Sequence, residues 1–364
     1  MPKPNPAGQE GRPPNLPTHG ATALPSVDVE SYSLELDGED GFVGDQANKG
    51  AFVEIFERIR KPLREAGEDP FGNTRSERIS RKKLGAVLAK GEPEAAAVVQ
   101  SAVEEFAQQF AAVIRRFLRL KSWREVECIV VGGGFSGSRV GELAVARAGI
   151  LLRSEGLAVD LQLIHHDPDE AGLIGAVHLL PAWMVTGHDA ILAVDVGGTN
   201  IRVGIVTLNF SKAKDLSKAA VADLKLWCHD AEESVKRDEA VDYLSAMLAE
   251  FSDLAHKRAL RLAPVVGVGC PGVIREDGSI ERGAHNLPGN WESSKFNLPH
   301  VIRERLPRIG DHETLVVVHN DAVVQGLSEL AYVKERKRWG ILTIGTGLGN
   351  ASFTMRSRKA RERE

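Results

Sequence analysis

At 364 residues the chain is long enough for two domains, each with a buried core. Its 46 basic and 50 acidic side chains leave a formal charge of −4, which gives no electrostatic case for nucleic acid or for an anionic membrane surface. Hydrophobic residues at 43% and charged residues at 26% are the balance of a soluble globular protein. Cys128, Cys228 and Cys270 are too scattered for a disulfide framework or a Cys-x-x-Cys zinc knuckle, which favours a reducing compartment. The first twenty residues lack the apolar core of a secretory signal, and no window reaches the roughly 18 apolar residues of a membrane span. A cytoplasmic location is the expectation.

Residues 1–30 are rich in Pro and Gly and are expected to be a disordered tail. Tyr32–Leu36 alternates weakly as a short strand, and Phe52, Ile55, Phe56 and Ile59 share one face of a helix over Ala51–Arg64. Helices are predicted over Ser80–Lys90 and over residues 93–120. The second carries Val99, Val103, Phe106, Phe110, Val113 and Phe117 at three- and four-residue steps. Ser76–Val99 has a superficial helix-turn-helix look, but its turn lies late and no helix offers base-reading side chains. Its Lys/Arg cluster reads as a solvated face.

From Val126 the chain alternates between strands and helices. Strands are predicted at 127–131, 158–164, 224–228, 263–270, 314–319 and 338–344, and helices at 138–154, 169–180, 238–260 and 322–333. A hairpin is expected within Gly272–Glu281, and residues 355–364 form a charged tail. The centre of the pattern is Ile191–Val206, ILAVDVGGTNIRVGIV, two β-branched runs on either side of Gly197-Gly198-Thr199-Asn200. Two glycines let backbone N–H groups approach a ligand closely. Thr199 and Asn200 add hydrogen-bonding side chains, and Asp195 stands at the strand end. Such a turn suits a phosphate together with a metal ion or an attacking water.

Two further Gly-rich turns follow strands. Gly345-Thr346-Gly347-Leu348-Gly349 repeats the mixture of threonine and glycine, so the two loops could clamp a polyphosphate from opposite sides. The third is Gly132-Gly133-Gly134, in which Gly132, Gly134 and Gly137 also fit the G-x-G-x-x-G dinucleotide fingerprint. The acid that fingerprint requires about 20 residues on is missing, because Asp167 comes too late, and a dehydrogenase would leave the other loops unexplained. Close packing or an adenine contact accounts for these glycines instead.

His319-Asn320-Asp321 ends a buried strand and opens a helix. Asp321 is placed to act as a general base or simply to cap the helix, and Asn320 could hold a substrate hydroxyl. Gly269-Cys270-Pro271-Gly272 and Asn286-Leu287-Pro288-Gly289-Asn290-Trp291 are polar turns whose asparagines can both donate and accept, as sugar hydroxyls require. His165 and His166, adjacent on a strand, point to opposite faces and read as a non-metal pair.

In that order DVGGTN, GCPG, NLPGNW, HNDA and TIGTGLG resemble the ROK family of sugar kinases and sugar-responsive repressors. The resemblance implies an α/β fold of the actin-like ATPase (ribonuclease H-like) type, with two lobes around an ATP cleft. It implies that Asp195, Gly197, Gly198, Thr199 and Asn200 form the first phosphate motif, with Asp195 positioning Mg²⁺ through a bound water. Gly345, Thr346, Gly347 and Gly349 match the second motif, and Gly132, Gly133 and Gly134 match the adenosine turn. Asp321 matches the base that takes the sugar proton, with Asn320, Asn286 and Gly272 on the sugar side. The helix at 93–120, the Gly132–Gly134 turn and DEAGLIGAVHL at 169–179 normally close such chains, yet here they come first. A circular permutation accounts for that order. The lobes are then 31–168 with 336–354, and 169–335. The Gly-Glu-x-Gly-His segment and the cysteine-rich zinc loop of such kinases are not visible, so no zinc is expected there. The implied function is ATP-dependent phosphorylation of a hexose, the alternative being a catalytically weak or inactive sugar-binding regulator. The expected partners are ATP, Mg²⁺ and a small-molecule sugar, without nucleic acid or membrane; a homodimer is compatible with this reading.

Overall fold

Ten strands and ten helices account for most of residues 17–38, 41–232 and 234–357, which are the residues the computed structural model describes. The strands are β1 (Val27–Tyr32), β2 (Cys128–Gly132), β3 (Asp160–Leu163), β4 (Ala190–Val196), β5 (Asn200–Thr207), β6 (Ala220–Cys228), β7 (Leu262–Cys270), β8 (Leu315–Asn320), β9 (Arg338–Ile344) and β10 (Leu348–Met355). The helices are α1 (Lys49–Glu65), α2 (Arg81–Lys90), α3 (Pro93–Leu118), α4 (Arg139–Ser154), α5 (Ala171–Ala176), α6 (Ala182–Val185), α7 (Arg237–Lys257), α8 (Leu298–Arg305), α9 (Asp321–Leu327) and α10 (Leu330–Val333). Two-residue ribbons pair Asp37–Gly38 with Gly41–Phe42 and Arg308–Ile309 with His312–Glu313.

The strands build two five-stranded sheets, ordered β1-β10-β9-β2-β3 and β8-β7-β4-β5-β6. Both sheets obey one plan. In the second, β4, β5 and β6 form an antiparallel meander, and β7 and β8 add in parallel beyond β4. In the first, β9, β10 and β1 are antiparallel neighbours, and β2 and β3 add in parallel beyond β9. Strand for strand, β9-β10-β1-β2-β3 repeats β4 to β8. The difference lies in chain order, since β1 precedes every other strand and β10 follows them all. Val29 pairs with Phe353 and Tyr32 with Ala351.

Alternation along the strands sets the layers. Ile129, Val131, Leu342 and Ile344 face α1, α3 and α4, where Phe135 meets Phe52 and Phe106 with ring centroids 5.3 and 4.9 Å apart. The opposite faces of both sheets, carrying Val130, Trp339 and Ile341 on one and Ile191, Ala193, Val265 and Val317 on the other, share a central core with α5 and α9. Leu192, Val194, Val266 and Val268 face outward against α7 and α8. The stack is therefore α/β/α/β/α, with both faces of each sheet covered except at the half-exposed edge strand β6.

The central layer is thin because it is glycine-lined. A Cβ at Gly175 in α5 would lie 1.7 Å from the Val324 carbonyl oxygen of α9, and one at Gly267 in β7 would lie 2.9 Å from the Ala176 Cβ. On the outer side of the first sheet, buried Arg60 holds the α1–α2 connection. Its guanidinium reaches Asp69 Oδ2 at 2.9 Å, Ser76 Oγ at 2.7 Å and the Thr74 carbonyl at 2.9 Å.

Several elements differ from expectation. Residues 17–30 are not a tail. Gly20 N–H donates to the Val318 carbonyl at 3.0 Å, and Val318 N–H donates to His19 Nδ1 at 3.1 Å, before the chain enters β1. This strap borders the β8 edge of one sheet and then supplies the β1 edge of the other, a pairing set by partners some 300 residues away. The expected tail over residues 1–16, and most of the charged tail from 358 on, lie outside the described residues. The strand expected at Tyr32–Leu36 lies instead at Val27–Tyr32. The hairpin within 272–281 is reduced to a single bridge, Ile274 to Ile280. The helix expected over 322–333 is interrupted between α9 and α10, where fully buried Glu329 reaches across to His165 Nδ1 at 2.6 Å. Among the described residues no helix is long and apolar enough to cross a membrane.

Gly175→Ala is expected to lower unfolding stability by about 1–3 kcal/mol, the usual cost of overpacking, because its methyl group would displace α9. Denaturant unfolding compared with Gly149→Ala, at a helical glycine whose Cβ would meet nothing nearer than the end of the Arg153 side chain at 3.3 Å, measures this. Equal stability of the two variants would show that the α5–α9 contact is not tight.

Candidate active site

The β4–β5 and β9–β10 hairpins hold equivalent places in the two sheets, and their turns face each other across a cleft of about 280 Å³. Thr199 Oγ1 and Thr346 Oγ1 are 2.8 Å apart, so the turns meet through a hydroxyl–hydroxyl hydrogen bond. Gly198 permits the approach, since a Cβ there would lie 3.0 Å from the Asn286 Cβ and 3.4 Å from the Thr346 Cβ. Each turn is closed on itself. Gly197 N–H donates to the Asn200 carbonyl at 2.9 Å, and Gly345 N–H donates to the Gly347 carbonyl at 3.0 Å. The N–H groups of Gly198, Thr199, Thr346 and Gly347 have no backbone partner among the described residues. Four such donors at the mouth of one cleft form an anion-binding surface.

Asp195 and Asp321 lie on the cleft floor on either side of Gly269. Asp195 pairs with Gly269 in the β4–β7 register, and β8, pairing with β7 on its other side, ends one residue before Asp321. Asp195 is 2% exposed. Its Oδ2 accepts from Arg202 Nη1 at 3.2 Å, while Arg202 Nη2 and Nε donate to Asp169 Oδ1 at 2.6 and 2.9 Å. Asp195 Oδ1 has no hydrogen-bond partner among the described residues. Burial raises the Asp195 pKa, and the Arg202 charge opposes that rise. Burial, reinforced by the Asp195 charge, pushes the Asp321 carboxyl up to about 7. An acid poised there exchanges a proton near neutral pH, as a general base must. An unpartnered buried carboxylate oxygen beside a phosphate-type turn also fits a hydrated divalent cation such as Mg²⁺. Among the described residues no group of three or more His, Cys, Asp and Glu is arranged to hold a metal ion.

Asn320 does different work from the sugar contact expected of it. Its Oδ1 accepts from the N–H groups of Ala322 and Val323 at 3.0 and 3.2 Å, capping α9. Its Nδ2 donates to the Gly272 carbonyl at 3.0 Å, and its amide also interacts with the Asp321 carboxyl, moderating the rise of that pKa. His319 steadies the same backbone. Its Nδ1 accepts from Asn320 N–H at 2.7 Å, and its Nε2 donates to the Ala21 carbonyl of the strap at 3.0 Å. Burial pushes the His319 pKa down to about 4, so the ring is neutral. Gly272 has φ +96°, and a Cβ there would strike the Arg282 carbonyl at 2.4 Å.

Of the residues expected at the site, Asp195, Gly197, Gly198, Thr199, Asn200, Gly272, Asn286, Asn320, Asp321, Gly345, Thr346, Gly347, Gly349, Gly133 and Gly134 line the cleft. Gly132 stands back, facing Gln325, Ile164 and Thr343. Gly133 has φ +81°, and a Cβ there would lie 2.6 Å from the Ile344 carbonyl, so close strand packing explains that glycine. Asn286 sits between the two threonine turns, its Nδ2 3.4 Å from where a Gly347 Cβ would be. Arg202, Lys49, Arg81 and Gln325 also line the cleft; Arg81 belongs to the Lys/Arg cluster read as a solvated face but is half-buried here, and the other three had not been singled out. Arg202 had a local signal, as a lone charge within the apolar run of β5. Lys49 and Gln325 had none, since nothing nearby in the chain marks them.

No protein-family model matches the chain, and no curated protein matches it. Among solved structures it is similar to a ROK hexokinase from Thermus thermophilus, 19% identical over 44% of this chain and 45% of that one, with TM-score 0.32. It is similar to a ROK glucokinase from Streptomyces griseus solved with glucose and AMPPNP, at 21% identity, 46% of each chain and TM-score 0.32. A ROK transcriptional regulator, a homolog of the E. coli MLC protein, matches at 17% identity, 45% of this chain, 36% of that one and TM-score 0.34. Each match spans less than half of the solved chain.

The raised Asp321 pKa makes stability depend on pH. An unfolded aspartate titrates near pH 3.9. The folded state therefore keeps a proton that the unfolded state has released, and this contribution is complete below about pH 4 and lost as pH rises through about 7. Asp321→Asn mimics the protonated acid, so the variant should gain on the parent between pH 4 and 8. Urea unfolding of both across that range measures the gain, and a difference that stays constant with pH would contradict the raised pKa.

Proposed function

We propose that the protein is a cytoplasmic, ROK-type carbohydrate kinase that transfers the γ-phosphoryl group of ATP to a sugar hydroxyl, in a circularly permuted chain. The observation that carries this reading is the meeting of two threonine–glycine turns, from equivalent hairpins of two like-ordered sheets, above a carboxylate with a pKa of about 7. One turn with glycine and threonine is a common loop. Two that face each other over a base form a phosphoryl-transfer cleft. The β1–β10 pairing supports the permuted order, because β1 completes the β9–β10 hairpin as β6 completes β4–β5.

Each group then has one task. The free amides of Gly198, Thr199, Thr346 and Gly347 hold the phosphate oxygens. Asp321 accepts the proton of the sugar hydroxyl as that oxygen attacks phosphorus, and returns it to solvent after ADP leaves. Asn320 and His319 set the Asp321 backbone at the head of α9. Arg202 keeps Asp195 oriented and partly neutralised. Mg²⁺ would be held at Asp195, directly or through water, and supplies charge neutralisation for the phosphates. Asn286, with Asn320 and Gly272 beside it in the cleft, is the side offered to the acceptor. Such transfer depends mainly on positioning and charge stabilisation, so the missing Gly-Glu-x-Gly-His segment affects sugar choice before phosphate binding.

An ATP-coupled screen over hexoses and amino sugars tests this. One or more sugars should be turned over, and Asp321→Asn should lower kcat about 10²–10⁴-fold with nucleotide affinity retained. Parent activity should fall as pH drops below about 7, where Asp321 becomes protonated. Turnover that survives the substitution would remove Asp321 from the mechanism. Silence across the panel with intact nucleotide binding would leave a sugar-binding regulator.

A further inference from the structure

The lobe-1 wall of the cleft carries charge that neither hairpin accounts for. Two helices begin there. Lys49 is the first residue of α1 and Arg81 the first of α2, and both line the cleft. A helix N-terminus is the positive end of its dipole, and a basic residue there is unfavourable unless an anion is near. The long helices elsewhere follow the ordinary preference: α3, α4 and α7 carry Glu94, Glu142, and Asp238 with Glu239 in their first turns. α1 and α2 have no acid in theirs. Among the described residues neither Lys49 nor Arg81 has an ion pair or side-chain hydrogen bond. Arg81 is nonetheless half-buried, and that burial lowers its pKa. Removing an unpaired cation from water is costly, so the fold holds here an interaction that only a ligand completes.

A second, separate observation lies in the same cleft. Gln325 is 9% exposed, lines the cleft and leaves its Oε1, 3.4 Å from where a Gly132 Cβ would be, without a partner among the described residues. It stands one helical turn beyond Asp321 on the same face of α9. Its amide can present either donor or acceptor, because the two ends are interchangeable in shape.

We propose that Lys49 and Arg81, with the Gln325 amide of α9, form a third phosphate-binding wall that grips the donor's phosphate chain. The spacing favours a chain of phosphates over a single carboxylate. Lys49 N–H donates to the Gly345 carbonyl at 2.9 Å, which puts this cation at the end of β9. Arg81 Nη2 lies 3.8 Å from where a Gly134 Cβ would be, just past the end of β2. β9 and β2 are neighbouring parallel strands, about 4.8 Å apart, so the two cations border adjacent strand ends and suit charges repeated along one ligand. The identity of that ligand as a kinase's phosphate donor rests on the function proposed above; the anion site itself does not.

Isothermal titration of the full-length protein with Mg²⁺–AMPPNP, and separately with inorganic tripolyphosphate, tests the wall. Lys49→Met and Arg81→Met are each expected to weaken both probes about tenfold. Arg81→Lys, which keeps the charge, should recover most of the loss. The dependence of affinity on salt should be shallower in the Met variants, a change that mere structural damage would not produce. Gln325→Leu should weaken binding several-fold with an unchanged salt slope. Unaltered affinities in the Met variants of a protein that phosphorylates sugar would overturn the wall and leave the kinase intact. Tripolyphosphate binding lost in the Met variants of a protein that phosphorylates nothing would uphold the wall and remove the kinase. Failure of the parent to bind either probe would overturn the wall.

Discussion

Backbone meets backbone at the centre of this molecule, and the cleft exists because of it. Gly175 brings α5 against the Val324 carbonyl of α9, Gly172 brings α5 against the Asp195 side chain, and Gly267 brings β7 against α5. A larger residue at any of these places would thicken the layer that joins the two sheets. The sheets would then move apart, and with them the hairpin turns that meet through Thr199 and Thr346. Close packing at the core thus sets the width of an opening at the surface, since dense interiors transmit displacement with little loss.

That packing also creates the electrostatic state of the floor. Two carboxylates flank Gly269, poorly solvated and close enough for one to raise the pKa of the other. Arg202 compensates Asp195 and leaves Asp321 without a cation of its own. The Arg202 charge opposes the rise at Asp195, whereas at Asp321 the Asp195 charge adds to the effect of burial, so the two carboxylates differ by which of them the arginine reaches. Cys270, buried beside both acids, has its thiol pushed well above its ordinary range and is chemically quiet for the same reason.

Much of this was legible in the residues. The β-branched runs around Gly197–Asn200 and after Arg338 gave their strands, because a strand buried on both faces has little freedom in composition. Helices with a single apolar stripe, such as α3 and α7, were found to within a few residues. The short helices were harder. α8 was missed, and the break between α9 and α10 follows from a Glu329–His165 contact made 164 residues away in the chain. The Pro-rich start read as a tail because its hydrogen bonds run to β8 and β10, and local composition carries no trace of such partners.

Sequence by itself determined the α/β class, the glycine turns that permit close approach of a phosphate, and a carboxylate at the head of a helix. These are local properties: φ freedom, strand periodicity and a cap each involve a few neighbouring residues. Tertiary structure alone decided which turns face each other, that Asn320 is mostly occupied in capping α9, and that Asp321 titrates near neutrality. It alone brought Lys49, Arg81 and Gln325 to one cleft from helices far apart in the chain. Those outcomes depend on burial and on distances between residues remote in sequence, and both quantities come into being only when the two sheets close on the glycine-lined layer between them.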